Sequence, residues 1–327
     1  EINKAFRLYG DRISVVHVKD FVMKEGKPDA LVCIDYPGFN MKLIEKAKEA
    51  GIPVIYYILP TIWAWHKSRG NVIAEYTDLA VSLFPFEAEM YKEMGTNVVY
   101  GGHPLLDTVK PSMSKDEAYS FFGLQPEKKT VLFMPGSRVQ EVQSLYGKML
   151  AAGKLLKDKV EGLQFMVPKA STIDRHMLEE AAREASLEVH IGEERVYDMM
   201  NIADAAICAS GTATLETALM GVPTLLVYRV NVLTYWLSKI LVHLDSIGLP
   251  NIISGHRIMP ELWQDEVTPE NIEAAVLPWL VDAAASEKAR HLMTGVRCQM
   301  GEAGAVRRTA EIISEFVKEK QLHEAVQ

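Results

Sequence analysis

Short uninterrupted apolar runs alternate along this chain with longer stretches in which apolar positions recur every three or four residues. Residues 30–34, Ala-Leu-Val-Cys-Ile, form the first clear run and close on Asp35. Runs at 53–58, 79–84 and 97–100 repeat the pattern, and the stretches 40–50 and 86–94 between them read as helices. Strands that are apolar on both faces and separated by helices belong to a parallel sheet covered on both sides. Pro104 and Pro111 then mark a linker. A second series follows at 130–134, 163–167, 188–191, 204–208 and 223–228, again with helical gaps. From about residue 231 the pattern is mostly helical, with amphipathic helices expected over 270–283 and 285–323. The pattern predicts an α/β protein with two doubly wound parallel-sheet units.

In open α/β sheets, ligands bind beyond the carboxyl ends of the strands. The most informative strand end is Ala205-Ala206-Ile207-Cys208, which runs through Ala209 into Ser210-Gly211-Thr212 and then a good helix pattern over 213–219. The first turn of a helix has unpaired N–H groups and partial positive charge. Gly211 lets an anion approach the backbone, and Ser210 and Thr212 add hydroxyl donors. Glu216 lies five residues past Gly211, about 7.5 Å up the helix. A carboxylate there meets hydroxyls next to a phosphate held at the tip, as in a ribose diphosphate. The same segment also fits an ordinary Ser-capped helix whose Glu faces water. Pro135-Gly136-Ser137-Arg138 follows the strand at 130–134 and offers a second Gly turn with a bidentate guanidinium. Two such turns on one sheet edge suggest a nucleotide diphosphate clamp. G-x-x-x-x-G-K-[ST] and G-x-G-x-x-G are absent, which disfavours ATP-type and dinucleotide binding.

Other strand ends carry weaker signals. Asp35, before Tyr36-Pro37-Gly38-Phe39-Asn40, is placed to take a proton from an attacking hydroxyl, but it also suits plain turn chemistry. Pro60-Thr61-Ile62-Trp63-Ala64-Trp65 is an aromatic loop that fits a lipid or partner surface as well as core packing. Glu87 reads as the acidic first turn of a helix. His103, in Gly101-Gly102-His103-Pro104, fits acid–base work, though a lone His is more often structural. Tyr228-Arg229 and Leu249-Pro250-Asn251 supply polar groups at further loops.

Bulk properties narrow the field. The 327 residues are 48% hydrophobic and 24% charged, enough for two domains with sizeable cores. A net charge of −8 gives no electrostatic case for nucleic acid or for a polybasic membrane anchor. Cys33, Cys208 and Cys298 are far apart and show no metal or redox spacing, so reduced thiols in a cytosolic compartment are expected. No apolar run approaches the ~20 residues of a membrane span, and no signal peptide or His-containing metal cluster is visible. The chain opens Glu1-Ile2-Asn3 without a Met, as a cut or processed N-terminus would.

In this order, Ile34-Asp35-x-Pro37-x-Phe39-Asn40, the Pro60–Trp65 loop, Phe84-Pro85-Phe86-Glu87, Gly102-His103-Pro104, Pro135-Gly136-Ser137-Arg138, the 209–216 segment and Leu249-Pro250-Asn251 resemble the bacterial lipid-A-disaccharide synthase family. The resemblance runs from about residue 30 to beyond 265; W-A-W, F-P-F-E and A-S-G-T-A-T-L-E are its specific parts. It implies the GT-B architecture, two Rossmann-like domains facing across a cleft. It divides the chain into an acceptor and lipid domain over 1–112, a UDP-binding domain over 113–303, and a C-terminal helix over 304–327 that packs on the first domain or on a partner subunit. The implied reaction transfers 2,3-diacylglucosamine from its UDP derivative to 2,3-diacylglucosamine 1-phosphate with inversion, giving lipid A disaccharide 1-phosphate and UDP, without metal or cofactor. By the same resemblance Asp35 is the base on the acceptor 6-hydroxyl. Arg138 holds the phosphates with the Gly136, Ser137, Ser210, Gly211 and Thr212 turns, Glu216 the ribose, and Asn251 the donor side. Asn40, Trp63, Trp65 and His103 belong to the acceptor and lipid side. The implied location is cytoplasmic, peripheral on the inner membrane's cytoplasmic face through apolar contact, with a homodimer through the C-terminal helices left open.

Two departures from the family pattern stand out. The usual opening G-E-x-S-G-D does not occur, and residues 1–29 resemble a later part of the N-terminal domain, which is therefore expected to be incomplete. Gly38 stands where the family often has Asp. A UDP-N-acetylglucosamine 2-epimerase-like enzyme and a UDP-sugar-binding remnant without turnover are the competing readings; the W-A-W and F-P-F-E segments count against the former.

Overall fold

The structure, a computed structural model, describes residues 13–16, 28–62, 68–229 and 246–326. The chain begins with β1 (Ile13–Val16), β2 (Ala30–Ile34), α1 (Pro37–Glu49), β3 (Val54–Tyr57), α2 (Ser68–Tyr76), β4 (Leu79–Ser82), α3 (Pro85–Glu93), β5 (Val98–Tyr100) and α4 (Leu105–Thr108). It continues through α5 (Lys115–Phe122), β6 (Thr130–Met134), α6 (Val139–Lys157), β7 (Gln164–Pro168), α7 (Arg175–Glu184), β8 (His190–Gly192), α8 (Val196–Asn201), β9 (Ala205–Ala209), α9 (Thr212–Leu219) and β10 (Thr224–Tyr228). After these come α10 (Leu249–Ser254), β11 (Glu261–Trp263), α11 (Pro269–Val281), α12 (Ala283–Gln299) and α13 (Ala305–Val326). Among the described residues, two compact units divide the chain. One holds residues up to Thr108 together with those from Met300 onward; the other holds the intervening Val109–Gln299 stretch.

Each unit is a parallel sheet, as the continuous apolar runs predict. The first has strand order β1-β2-β3-β4-β5 and the second β11-β10-β9-β6-β7-β8. Successive side chains of a strand point to opposite faces, and in the second unit both faces are buried. Val131, Phe133, Ala205 and Ile207 face one helical layer; Leu132, Met134, Ala206 and Cys208 face the other. In the first unit, Leu31, Cys33, Val54 and Tyr56 pack with Ile44 and Ala47 of α1, Ile73 of α2 and Tyr91 of α3. Pro37 starts α1 where a missing N–H costs nothing, and Lys46 and Lys48 sit at its negative end. The second unit opens on Ser112 and Met113, whose backbone N–H groups donate to buried Asp198 at 2.7 and 2.8 Å.

The C-terminal third departs from the expected pattern in two places. The single amphipathic helix expected over 285–323 is two helices, α12 and α13. Gly301 and Gly304 between them adopt φ of 83° and 89°, a backbone that glycine takes without strain and a helix does not continue through. A short strand, β11, also interrupts the helical region; three residues after Pro260 carry too little alternation to be read from sequence.

The break returns α13 to the first unit. The Tyr100 hydroxyl donates to the Met300 carbonyl, and Asp107 accepts the Gly304 and Val306 N–H groups, capping α13. The Gly101-Gly102 pair makes room for this helix. A Cβ on Gly101 would come 2.6 Å from Thr309 Oγ1 and 2.7 Å from Val81 Cγ1, and one on Gly102 would come 2.7 Å from Arg308 Nη2. Gly101→Ala is therefore expected to lower the unfolding free energy of this unit by about 1–3 kcal/mol, as overpacking does. Urea unfolding followed by tyrosine fluorescence checks this, and an unchanged midpoint would show that α13 does not press on this strand end.

Candidate active site

The order of the second sheet places its two phosphate-type turns together. The chain leaves β6 toward β7 on one side and returns as β9 on the other, so β6 and β9 flank a topological switch point. Met134 and Cys208, near the ends of the two strands, pair in register. Beyond them opens a cavity of about 550 Å³ lined by Gly136, Ser137, Arg138, Ser210, Gly211, Thr212 and Glu216, among others. Gly211 has φ of 149°, and a Cβ there would meet nothing within 4 Å, so the space over the turn is open. The helix α9 starts directly after it with no side-chain cap, leaving its positive end to the cavity.

Glu141, which the sequence reading missed, occupies the donors of the other turn. Its Oε2 accepts from the Ser137 and Arg138 N–H groups at 3.2 and 3.3 Å, and its Oε1 from Arg138 Nη1 at 2.8 Å. The signal was present: an acid three residues after a helix start is a capping-box position. Here that carboxylate fills a nest of amides and guanidinium that also suits a phosphate oxygen. Gly136 at φ 112° allows the approach, since a Cβ there would collide with the Glu141 side chain. Lys169 adds a cation to the lining; its ammonium lies 4.0 Å from Glu193 Oε2, with 14% of the side chain exposed. Glu216 reaches the cavity wall, and its Oε1 accepts from the Tyr197 hydroxyl at 2.8 Å.

Asn251 does not reach this cavity. It is buried, and the protein fills its hydrogen-bonding capacity. Its Nδ2 donates to the Met259 carbonyl and Glu261 Oε1, and its Oδ1 accepts from the Ile258 and Met259 N–H groups. It ties α10 to the 258–261 segment. Buried Glu261 also accepts from the Ile247 and Gly248 N–H groups and from Trp263 Nε1.

In the first unit, the turn after β2 is held in an uncommon backbone. Asp35 and Tyr36 have φ of 49° and 45°, two successive non-glycine residues in the left-handed region. Such residues cost about 1–3 kcal/mol each and gather at functional sites. Two buried side chains secure the turn. Asn40 Nδ2 donates to the Asp35 carbonyl at 2.6 Å and to the Ile34 carbonyl at 3.2 Å, and the Tyr56 hydroxyl donates to the Asp35 carbonyl at 2.8 Å. The Asp35 side chain is exposed beside exposed Tyr36 and Phe39. Asn40 is fully enclosed and shapes the Asp35 turn.

His103 likewise sits inside the fold, 5.2 Å from the Phe84 ring, and its Nδ1 accepts the Leu105 N–H at 3.2 Å. Burial pushes its pKa down to about 4, so the ring is neutral near pH 7. Burial pushes the Cys33 thiol up to about 12 and raises that of Cys208, so neither is a nucleophile. Trp63 and Trp65 lie outside the described residues. Among the described residues, no three His, Cys, Asp or Glu side chains converge as metal ligands.

The family model described as lipid-A-disaccharide synthetase matches residues 13–316. The chain belongs to the lipid-A-disaccharide synthase family. A lipid-A-disaccharide synthase of Geobacter metallireducens is 43% identical over 294 residues, covering 90% of this chain and 77% of that protein. Among solved structures, a putative UDP-N-acetylglucosamine 2-epimerase from Listeria monocytogenes superposes with a TM-score of 0.63 at 13% identity, over 98% of this chain and 78% of that one. The calicheamicin glycosyltransferase CalG4 gives 0.54 at 15% identity, over 97% and 77%. These likenesses are of fold, and the two parallel units of this synthase family member have the α/β GT-B fold.

Two expectations follow for this family member. Glu141→Gln keeps an oxygen for the two amides but removes the charge. Inorganic pyrophosphate should then bind about fivefold tighter, the ~1 kcal/mol that unit charges 4 Å apart exchange in water. Weaker binding by calorimetry would mean Glu141 holds Arg138 for the anion. His103 titrates near 6.5 when unfolded and near 4 when folded. Its contribution is complete above pH 6.5 and is lost as the pH falls toward 4, about 3 kcal/mol in all. The stability gap between wild type and His103→Gln should shrink by that amount from pH 7 to 4; a constant gap would contradict the neutral, buried ring.

Proposed function

We infer that this chain is an inverting glycosyltransferase of lipid A biosynthesis. It condenses UDP-2,3-diacylglucosamine with 2,3-diacylglucosamine 1-phosphate to give lipid A disaccharide 1-phosphate and UDP. One observation carries the reading: the Gly136-Ser137-Arg138 and Ser210-Gly211-Thr212 turns line one cavity with Glu216, in a chain that matches the synthase family through both units. In this reading the amides of the two turns and Arg138 hold the diphosphate, and the positive end of α9 stabilises the charge that develops on the leaving UDP. Glu216 accepts from the ribose hydroxyls.

Asp35 is the base that takes the proton from the acceptor 6-hydroxyl as it attacks the anomeric carbon. The left-handed turn secured by Asn40 and Tyr56 supports this role, because it fixes the carboxylate's starting point. Exposed Tyr36 and Phe39 beside Asp35 support an apolar path for acyl chains and a peripheral site on the cytoplasmic face of the inner membrane. No helix among the described residues is long and apolar enough to cross a membrane.

The test is UDP release from UDP-2,3-diacylglucosamine with and without 2,3-diacylglucosamine 1-phosphate, with products identified by mass. Acceptor-dependent release with a disaccharide product supports the transferase. Epimerised free sugar would establish the epimerase reading, and UDP binding without turnover the remnant. Asp35→Asn should lower kcat by about 10²–10⁴, the range for a lost general base, and leave the Kd for UDP unchanged. Near-wild-type transfer would remove Asp35 from the mechanism.

A further inference from the structure

Tyr197 is a neighbour of Glu216 with no part in the proposed reaction. It lies on α8, nineteen residues earlier in the chain, and its hydroxyl reaches Glu216 Oε1 at 2.8 Å. The backbone around it is pinned on both sides. Before it, Arg195 donates to Ser112 Oγ at 2.8 Å and its guanidinium lies 5.4 Å from the centre of the Phe121 ring. After it, buried Asp198 accepts the Ser112 and Met113 N–H groups and the Ser112 hydroxyl, and Met199 and Met200 are core residues. The Tyr197 ring itself packs against the core layer beneath α8. Its hydroxyl therefore approaches the cavity wall from a fixed position.

A free glutamate samples many rotamers, and a ligand that needs one of them must order the side chain first. The tyrosine bond removes that cost in advance. It holds Oε1 and leaves Oε2 and a further lone pair of Oε1 free to accept. Two acceptors on adjacent oxygens match the two hydroxyls of a vicinal diol. We propose that Tyr197 is a positioning residue that presets the Glu216 carboxylate for the ribose 2′,3′-diol, and so sets the preference for a ribonucleotide donor. This rests on the reading of Glu216 as the ribose acceptor.

The experiment measures Kd by calorimetry for UDP and for 2′,3′-dideoxy-UDP with the wild-type chain, Tyr197→Phe and Glu216→Gln. Phenylalanine keeps the ring and removes only the hydroxyl. Tyr197→Phe should weaken UDP about three- to tenfold, the range for one typical net hydrogen bond, and leave dideoxy-UDP unchanged. In turnover the variant should raise KM for the donor with kcat preserved at saturation. Equal weakening of both ligands would assign the hydroxyl a general structural role, and no weakening of either would leave it none; each overturns the proposal. Glu216→Gln reads the underlying assignment separately. If it abolishes the preference for UDP while Tyr197→Phe does nothing, Glu216 stands and Tyr197 falls. If it keeps the full preference, both fall.

Discussion

All side chains of β6 and β9 are buried, alternately against two helical layers, and this constraint governs where the second unit can do chemistry. From Val131 to Met134 and from Ala205 to Ala209 neither strand carries a polar side chain other than the buried Cys208 thiol. Function is pushed to the residues that follow each strand, and the sheet order decides which of those meet. Because β6 and β9 are neighbours that run the same way, their two glycine turns emerge side by side. The first unit lacks this arrangement among its described strands, which succeed one another in order across the sheet. Its distinctive backbone is instead a single secured turn at Asp35, reached by buried donors from α1 and β3.

The cavity works against the sign of the chain. A net charge of −8 repels a diphosphate at long range, and Glu141, Glu193 and Glu216 stand in the lining itself. Attraction must come from short-range donors, the turn amides, the start of α9, Arg138 and Lys169. These are effective within a few ångströms, where screening by salt is weak. An acidic surface with a local donor nest disfavours a diffuse polyanion more than a compact one.

Much of this was legible before any coordinates. Strands buried on both faces must be written as continuous apolar runs, so 30–34 and 130–134 coincide with β2 and β6 residue for residue. The two glycine turns were readable because positive φ and close backbone approach leave a mark in residue type. Roles that depend on burial were not readable. Asn40 and Asn251 lie in the first turns of α1 and α10 and His103 precedes α4, and nothing in these residue types shows that all three are buried and bond the local backbone. Partners distant along the chain were equally hidden: Tyr56 for Asp35, Tyr197 for Glu216, Asp107 for the start of α13. The break at 301–304 is invisible to the helical period, which resumes after it with little change in composition; only the family resemblance set a separate helix at 304–327.

The return of α13 to the first unit has a consequence for how the molecule is made. Asp107 waits for backbone groups 197 and 199 positions further along, and Tyr100 for a carbonyl 200 positions away. During synthesis the second unit is complete in the nascent chain before α13 leaves the ribosome, so it can close as soon as it emerges. The first unit, although begun earlier, cannot. The glycine-lined strand end at Gly101 and Gly102 stays open to solvent and to chaperones until α13 arrives. Of the two units, the one begun earlier is the one completed later.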